Sequence, residues 1–222
     1  MSLFQSSSNA RSSVLFDDRV DAGRQLAQAV LQEATLLSAR FVVYALPRGG
    51  IPVAVPIAEA LQCPLDIIVA KKITRPANPE LAIGAVTADG HVLRASNTPI
   101  PEWQTVLEHA QAKAIDQLSQ FGDRPRVSVE GAIGLIVDDG IATGMTIAVA
   151  AKALREQHPN EIWICAPVAP ASLVDDLHQH CDRLIVLATP DSFWSVSRFY
   201  RSFPQVELDV AISELKNSLQ SE

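Results

Sequence analysis

The chain has 222 residues, 48% of them hydrophobic, with a formal net charge of −7 and a pI near 5.2. That length fits one large domain, or one domain with a small subdomain, and enough apolar residues are present to bury a sizeable core. The acidic balance counts against a protein that grips nucleic acid by its phosphates, and no apolar run approaches the roughly 18 residues of a membrane span.

In chain order, residues 1–13 are rich in Ser and lack an apolar run. They are expected to form a disordered tail rather than a signal peptide. Asp17 to Ser38 has an apolar face of Val20, Leu26, Ala27, Val30, Ala34 and Leu37, with Asp17 or Asp18 able to cap it, which predicts an amphipathic helix. Phe41 to Leu46 is a short apolar run with β-branched and aromatic residues, as expected of a buried parallel strand. It ends at the turn cluster Pro47-Arg48-Gly49-Gly50, and Ile51 to Leu61 then predicts a helix with Pro56 inside it. Leu65 to Ala70 predicts a strand and Lys71 to Glu80 a polar loop. Leu81 to Val86 and His91 to Arg94 predict a hairpin around Asp89-Gly90. Glu102 to Gln120 predicts a long helix and Asp123 to Gly131 a linker. After these come a strand over Ala132 to Val137, a helix over Gly144 to Glu156 and a strand over Ile162 to Val168. A helix over Pro170 to Cys181, a strand over Leu184 to Ala188 and a last helix over Glu207 to Leu219 complete the pattern.

Strand, turn and helix repeated in this way predict an α/β fold, a mostly parallel sheet covered by helices. Ligands on such sheets bind beyond the carboxyl ends of the strands, where both Pro47 to Gly50 and Asp138 to Gly140 fall. Cys63, Cys165 and Cys181 include no CxxC pair and lie near apolar segments, so all three are expected to be reduced, as in a cytosolic protein. The five histidines, His91, His109, His158, His178 and His180, lack metal-ligand spacing and are expected at the surface.

The most informative segment is Leu135-Ile136-Val137-Asp138-Asp139-Gly140-Ile141-Ala142-Thr143-Gly144-Met145-Thr146. An apolar strand runs into two carboxylates, then a small-residue loop, then a helix. The helix start offers unpaired N–H groups and a positive dipole end for a phosphate. Gly140 and Gly144 permit close backbone approach and positive φ, and Thr143 and Thr146 can add hydroxyl donors. Adjacent carboxylates would repel the same phosphate unless they face something else, and neighbouring ribose hydroxyls suit them. A capping Asp pair on an ordinary helix is the plain alternative. No G-x-G-x-x-G follows a strand, and Gly144 is not followed by Lys, so the Rossmann and Walker loops are both absent.

This segment resembles the signature of type I phosphoribosyltransferases, which bind 5-phosphoribosyl-1-pyrophosphate (PRPP). Leu46 to Gly50, Ala70 to Val86 and Asp191 to Phe203 also resemble a little-characterised group of predicted phosphoribosyltransferases, so the likeness runs over most of residues 14–212. The resemblance implies the type I fold with a small hood subdomain: a core over 14–189 and a hood and helix segment over 190–222. It implies that Asp138 and Asp139 hold the ribose hydroxyls, with Gly140, Ile141, Ala142, Thr143, Gly144, Met145 and Thr146 cradling the 5′-phosphate. The loop with Arg48 and Gly49 would bind pyrophosphate, often through a cis non-proline peptide. A mobile loop near Lys71-Lys72 would close over PRPP. Strand alternation puts the two lysines on opposite faces, and Lys72 is the one expected to serve, beside the two acids. Phe193, Trp194 and Tyr200 would stack on the acceptor, unless they only pack the subdomain or a dimer contact. Mg²⁺ would come with PRPP, with no direct protein ligand, near Asp138 and Asp139. A cytoplasmic homodimer acting on small molecules is the family's expectation.

One position departs from the purine-salvage members. They carry an Asp one residue before the loop's Thr-Gly that helps protonate the base, whereas this chain has Ala142, which transfers no proton. The expected activity is therefore transfer of the phosphoribosyl group from PRPP to an unidentified, nitrogenous acceptor. The rivals are a PRPP-sensing regulator without transferase activity, a PRPP-synthesising enzyme and a PRPP hydrolase.

Overall fold

The computed structural model describes residues 14–75, 78–96, 100–122 and 127–218. The expected tail 1–13 lies outside them. The first helix, α1, runs Arg19–Ala34, and Asp18 caps it by accepting from the Asp21 amide at 2.9 Å. Strand β1 (Phe41–Ala45) leads to α2 (Gly50–Leu61) and then to the short β2 (Leu65–Ile67). The next strands, β3 (Ala70–Arg75), β4 (Asn78–Thr87) and β5 (Val92–Arg94), precede α3 (Trp103–Ser119). Strand β6 (Ile133–Val137) feeds α4 (Met145–Arg155), and β7 (Glu161–Val168) feeds a 3-10 turn and the short α5 (Val174–His178). Strand β8 (Arg183–Ala188), a second 3-10 turn over Val196–Phe199 and α6 (Leu208–Ser218) end the described chain.

Five strands form one parallel sheet in the order β2-β1-β6-β7-β8. Its strands read as continuous apolar runs because both faces are covered, each face receiving alternate residues. On β1, Val43 and Ala45 join Leu26, Val30, Ile57 and Leu215 in the core under α1, α2 and α6. Val42 and Tyr44 join Ile147, Leu154 and Leu177 in the core under α4 and α5.

The polar stretch after β2 departs from expectation. The strand expected over 65–70 stops at Ile67, and the chain leaves the main sheet through Ile68 and Val69. Ala70 then starts a separate antiparallel sheet in the order β3-β4-β5, and most of the polar loop expected over Lys71 to Glu80 is strand. Buried Ile73 sits between half-buried Lys71 and exposed Arg75 and packs with Ile83, Val86 and Trp103 in a small third core. An antiparallel sheet can keep one side wet, and the polar residues on both sides of the single buried Ile73 disguise this strand as a loop. The hairpin expected around Asp89-Gly90 is present as β4 and β5. The helix expected over 170–181 shortens to the 3-10 turn and α5.

Two features of this frame position the site. Strands β1 and β6 are neighbours in register, with Ala45 opposite Val137, so the loops leaving their carboxyl ends emerge side by side. The C-terminal segment returns to the N-terminus: the Leu15 and Phe16 amides donate to the Phe199 carbonyl at 2.8 and 3.0 Å.

Candidate functional site

Asp138 to Gly144 link β6 to α4. Gly144 caps the helix with φ of +72°, a left-handed conformation that suits Gly. Gly140 is needed for a different reason: a Cβ there would come within 2.5 Å of Val196 Cγ1. A cavity of about 210 Å³ opens at this loop, lined by Lys72, Asp138, Thr143, Thr146 and the backbone between them. The free amides of the α4 N-terminus make it a suitable anion seat. Of the expected loop residues, Gly140, Ile141, Ala142 and Gly144 also line the cavity, whereas Asp139 and Met145 stand outside its lining.

The two acids have different surroundings. Burial pushes the Asp138 carboxyl well above the usual range, and the neighbouring Asp139 pushes it further, against the pull of Arg19 and Lys72. Its Oδ1 accepts from the Asp139 amide at 2.9 Å. Burial also raises Asp139, but Arg19 opposes that rise directly: Arg19 Nε donates to Asp139 Oδ2 at 2.7 Å. Arg19 is itself held, with Nη1 donating to the Pro204 carbonyl at 2.7 Å and its guanidinium 3.6 Å from the centre of the Phe203 ring.

The Pro47 to Gly50 loop lies against the acid loop. The Pro47–Arg48 peptide is cis, the geometry the resemblance implies for this loop. A Cβ on Gly49 would collide with Asp139 Oδ2, and one on Gly50 would lie 2.7 Å from the Val137 carbonyl oxygen. Gln117 of α3 reaches the same turn, its Nε2 donating to the Pro47 carbonyl at 3.3 Å.

The lysines divide between two neighbourhoods. Lys72 is exposed and lines the cavity at the acid loop. Lys71 is half-buried, and burial together with the nearby charges of Arg48 and Lys113 lowers its pKa. The cation grouped with Arg48 is thus Lys71, while Lys72 faces Asp138.

The aromatic segment differs from expectation at Tyr200. Its ring is 4% exposed, lies 5.3 Å from the Phe16 ring and 4.9 Å from the Phe203 ring, and its hydroxyl donates to the Asp139 carbonyl at 2.6 Å. A ring enclosed in this way buttresses the acid loop and offers no open face to an acceptor. Phe193 packs on Phe199 with ring centres 5.4 Å apart, and Trp194 is 78% exposed.

Two more expectations meet particular surroundings. His91 is not a simple surface residue: its ring nitrogens lie 3.0 Å from Asp89 Oδ1 and 3.0 Å from Glu156 Oε2. Cys63, Cys165 and Cys181 are free thiols, and burial pushes Cys63 up to about 12 and Cys181 to about 11. Among the described residues no cluster of His, Cys, Asp and Glu has the geometry to hold a metal ion, and no helix is long and apolar enough to cross a membrane.

Sequence reading missed Arg19. Its signal was present, because Arg19, Ala22, Gly23 and Leu26 follow the spacing of one helix face and all are buried. A charge on an apolar stripe calls for a buried partner.

Comparison with known proteins agrees with this fold. Residues 15–203 match the model of the phosphoribosyl transferase domain family. Two Mycobacterium tuberculosis proteins named as predicted phosphoribosyl transferases, from strains CDC 1551 and H37Rv, are each 37% identical over 210 residues, covering 90% of this chain and 46% of theirs. The chain therefore spans about half the length of these curated relatives. The crystal structure of TT1426 from Thermus thermophilus superposes with a TM-score of 0.74 at 30% identity, covering 92% of this chain and 99% of that one. The chain belongs to the phosphoribosyl transferase domain family.

Proposed function

We propose that this chain transfers the 5-phosphoribosyl group of PRPP to a nitrogenous acceptor and releases pyrophosphate. The observation that carries the reading is the meeting of the Asp138 carboxylate, the α4 N-terminus and Lys72 around one cavity beside the Arg48–Gly49 loop.

In this reading the amides and hydroxyls from Gly140 to Thr146 hold the 5′-phosphate. Asp138 and Asp139 orient the ribose and favour the positive charge that builds at C1 as its bond to pyrophosphate breaks. Arg48, Gly49 and the two lysines hold the leaving group, with Lys71 on the Arg48 side and Lys72 on the side of the acids. The acceptor nitrogen attacks C1 from the opposite face and gives up its proton, so one C–N bond forms as one C–O bond breaks. Phe193 and Trp194 are the rings available to cover the acceptor. Catalysis is then mostly positioning and electrostatics, with no covalent nucleophile.

The carboxylate oxygens of Asp138 and Asp139 are hard donors, and the two acids adjoin in the chain at the mouth of the loop, so Mg²⁺ arriving with PRPP fits beside these residues. It would offset the negative charge of the departing pyrophosphate.

Calorimetric titration of PRPP with and without Mg²⁺ tests the reading. Tight, Mg²⁺-dependent binding is expected. Asp138→Asn combined with Asp139→Asn should weaken it by at least ~100-fold, since each lost charged acceptor is worth about 1.5–3 kcal/mol. Unchanged affinity in the double variant would sink the assignment.

A further inference from the structure

We propose that Arg19 is a positioning residue for the acid pair: it ties Asp139 to the C-terminal segment through one carboxylate oxygen and so fixes the acid loop for PRPP. This rests on the function proposed above and goes past the two-acid motif, which does not say what holds the acids in place.

The Arg19 and Asp139 side chains are only 10% and 16% exposed, and their charged atoms meet at 2.7 Å. In that low-dielectric setting the attraction is strong, and a carboxylate left alone would be costly to keep ionised. Arg19 cannot swing to a ligand without giving up its other contacts, the Pro204 carbonyl at 2.7 Å and the Phe203 ring at 3.6 Å. Asp139 is equally constrained. Its carboxylate lies where a Cβ on Gly49 would stand, and its carbonyl accepts from Tyr200. Asp139 therefore acts as a strut that joins the acid loop, the pyrophosphate loop and the segment from Tyr200 to Pro204.

The chemistry predicts that Lys cannot replace Arg19. An ammonium supplies the charge but lacks the planar fork that serves Asp139 and Pro204 together and the flat face that covers Phe203.

Calorimetric titration of PRPP with Mg²⁺, paired with thermal melting, tests the proposal on the parent chain, R19K, D138N, D139N and R19Q/D139N. R19Q alone leaves a buried carboxylate unpaired and can cost the fold, so the double variant, which removes both charges, stands in for it. R19K and R19Q/D139N should weaken PRPP binding roughly tenfold to a hundredfold, the scale of a misplaced site, with melting close to the parent's. D138N should abolish binding, and D139N should match R19Q/D139N, because residues that act as one unit are not additive. If R19K and R19Q/D139N bind within about twofold of the parent, Arg19 only supports the fold. If D139N loses as much as D138N while R19K binds like the parent, Asp139 acts without help from Arg19 and the positioning role is wrong. A parent chain that binds no PRPP overturns the functional reading and this inference with it. A parent that binds beside an undisturbed R19K overturns the inference alone.

Discussion

Gly49 has an ordinary right-handed backbone, with φ of −60° and ψ of −33°, so conformation does not explain the missing side chain. Contact does: a Cβ would strike Asp139 Oδ2, the atom that accepts from Arg19. Gly49→Ala should therefore displace the Asp139 carboxylate, break its pair with Arg19 and weaken PRPP binding by about tenfold or more. Titration calorimetry on the variant reads this, and affinity equal to the parent's would show that the loop yields without cost. The residue scale is also where sequence reading was least complete. The Asp138 to Thr146 segment announced itself because strand, acids, small residues and helix start are contiguous. Arg19 did not, and Tyr200 was read as an acceptor ring and Lys71 passed over for Lys72, because the contacts of each are with residues distant in the chain and exist only after folding.

Helix α4 follows the acid loop, and its C-terminal half is tied to the small antiparallel sheet. Lys152 Nζ donates to the Val92 carbonyl at 3.0 Å, and His91 spans Asp89 and Glu156. Burial lowers the His91 pKa, but the two acids outweigh it and the net shift is upward. A raised folded pKa means that the imidazolium's contribution to stability is complete below the unfolded value of about 6.5 and is lost as pH climbs through the folded one. Both acids are substantially exposed, so the contribution is modest, about 0.2–1 kcal/mol. His91→Gln should cost that much at pH 5.5 and almost nothing at pH 9, measured by urea unfolding at both values. An equal cost at both would assign His91 to packing alone. The hairpin of β3 and β4 marks the limit of element reading here. In β3 polar residues flank a single buried side chain, Ile73, and pairing with β4, rather than local propensity, makes Lys71 to Arg75 a strand.

At the scale of the whole molecule, the chain holds a five-stranded sheet buried on both faces and a small three-stranded sheet with its own core around Ile73, Ile83, Val86 and Trp103. A unit with fewer buried contacts opens more readily than the central sheet. Amides of β3, β4 and β5 should exchange with deuterium before those of β1, β6 and β7, and PRPP should slow exchange at β3, which carries Lys71 and Lys72. Mass spectrometry of the exchange checks this, and simultaneous exchange of both sheets would make the molecule one cooperative unit. The sequence by itself determined the strands and helices of the main parallel sheet and the acid loop, because periodicity, turn residues and contiguous motifs are local properties. Only the tertiary structure decided which lysine neighbours Arg48, which aromatic ring is enclosed and which acid is tied to Arg19. Those choices depend on which segments pack together, and the atoms that make them come from α1, β3 and the C-terminal segment, brought to one place by the burial of the sheet.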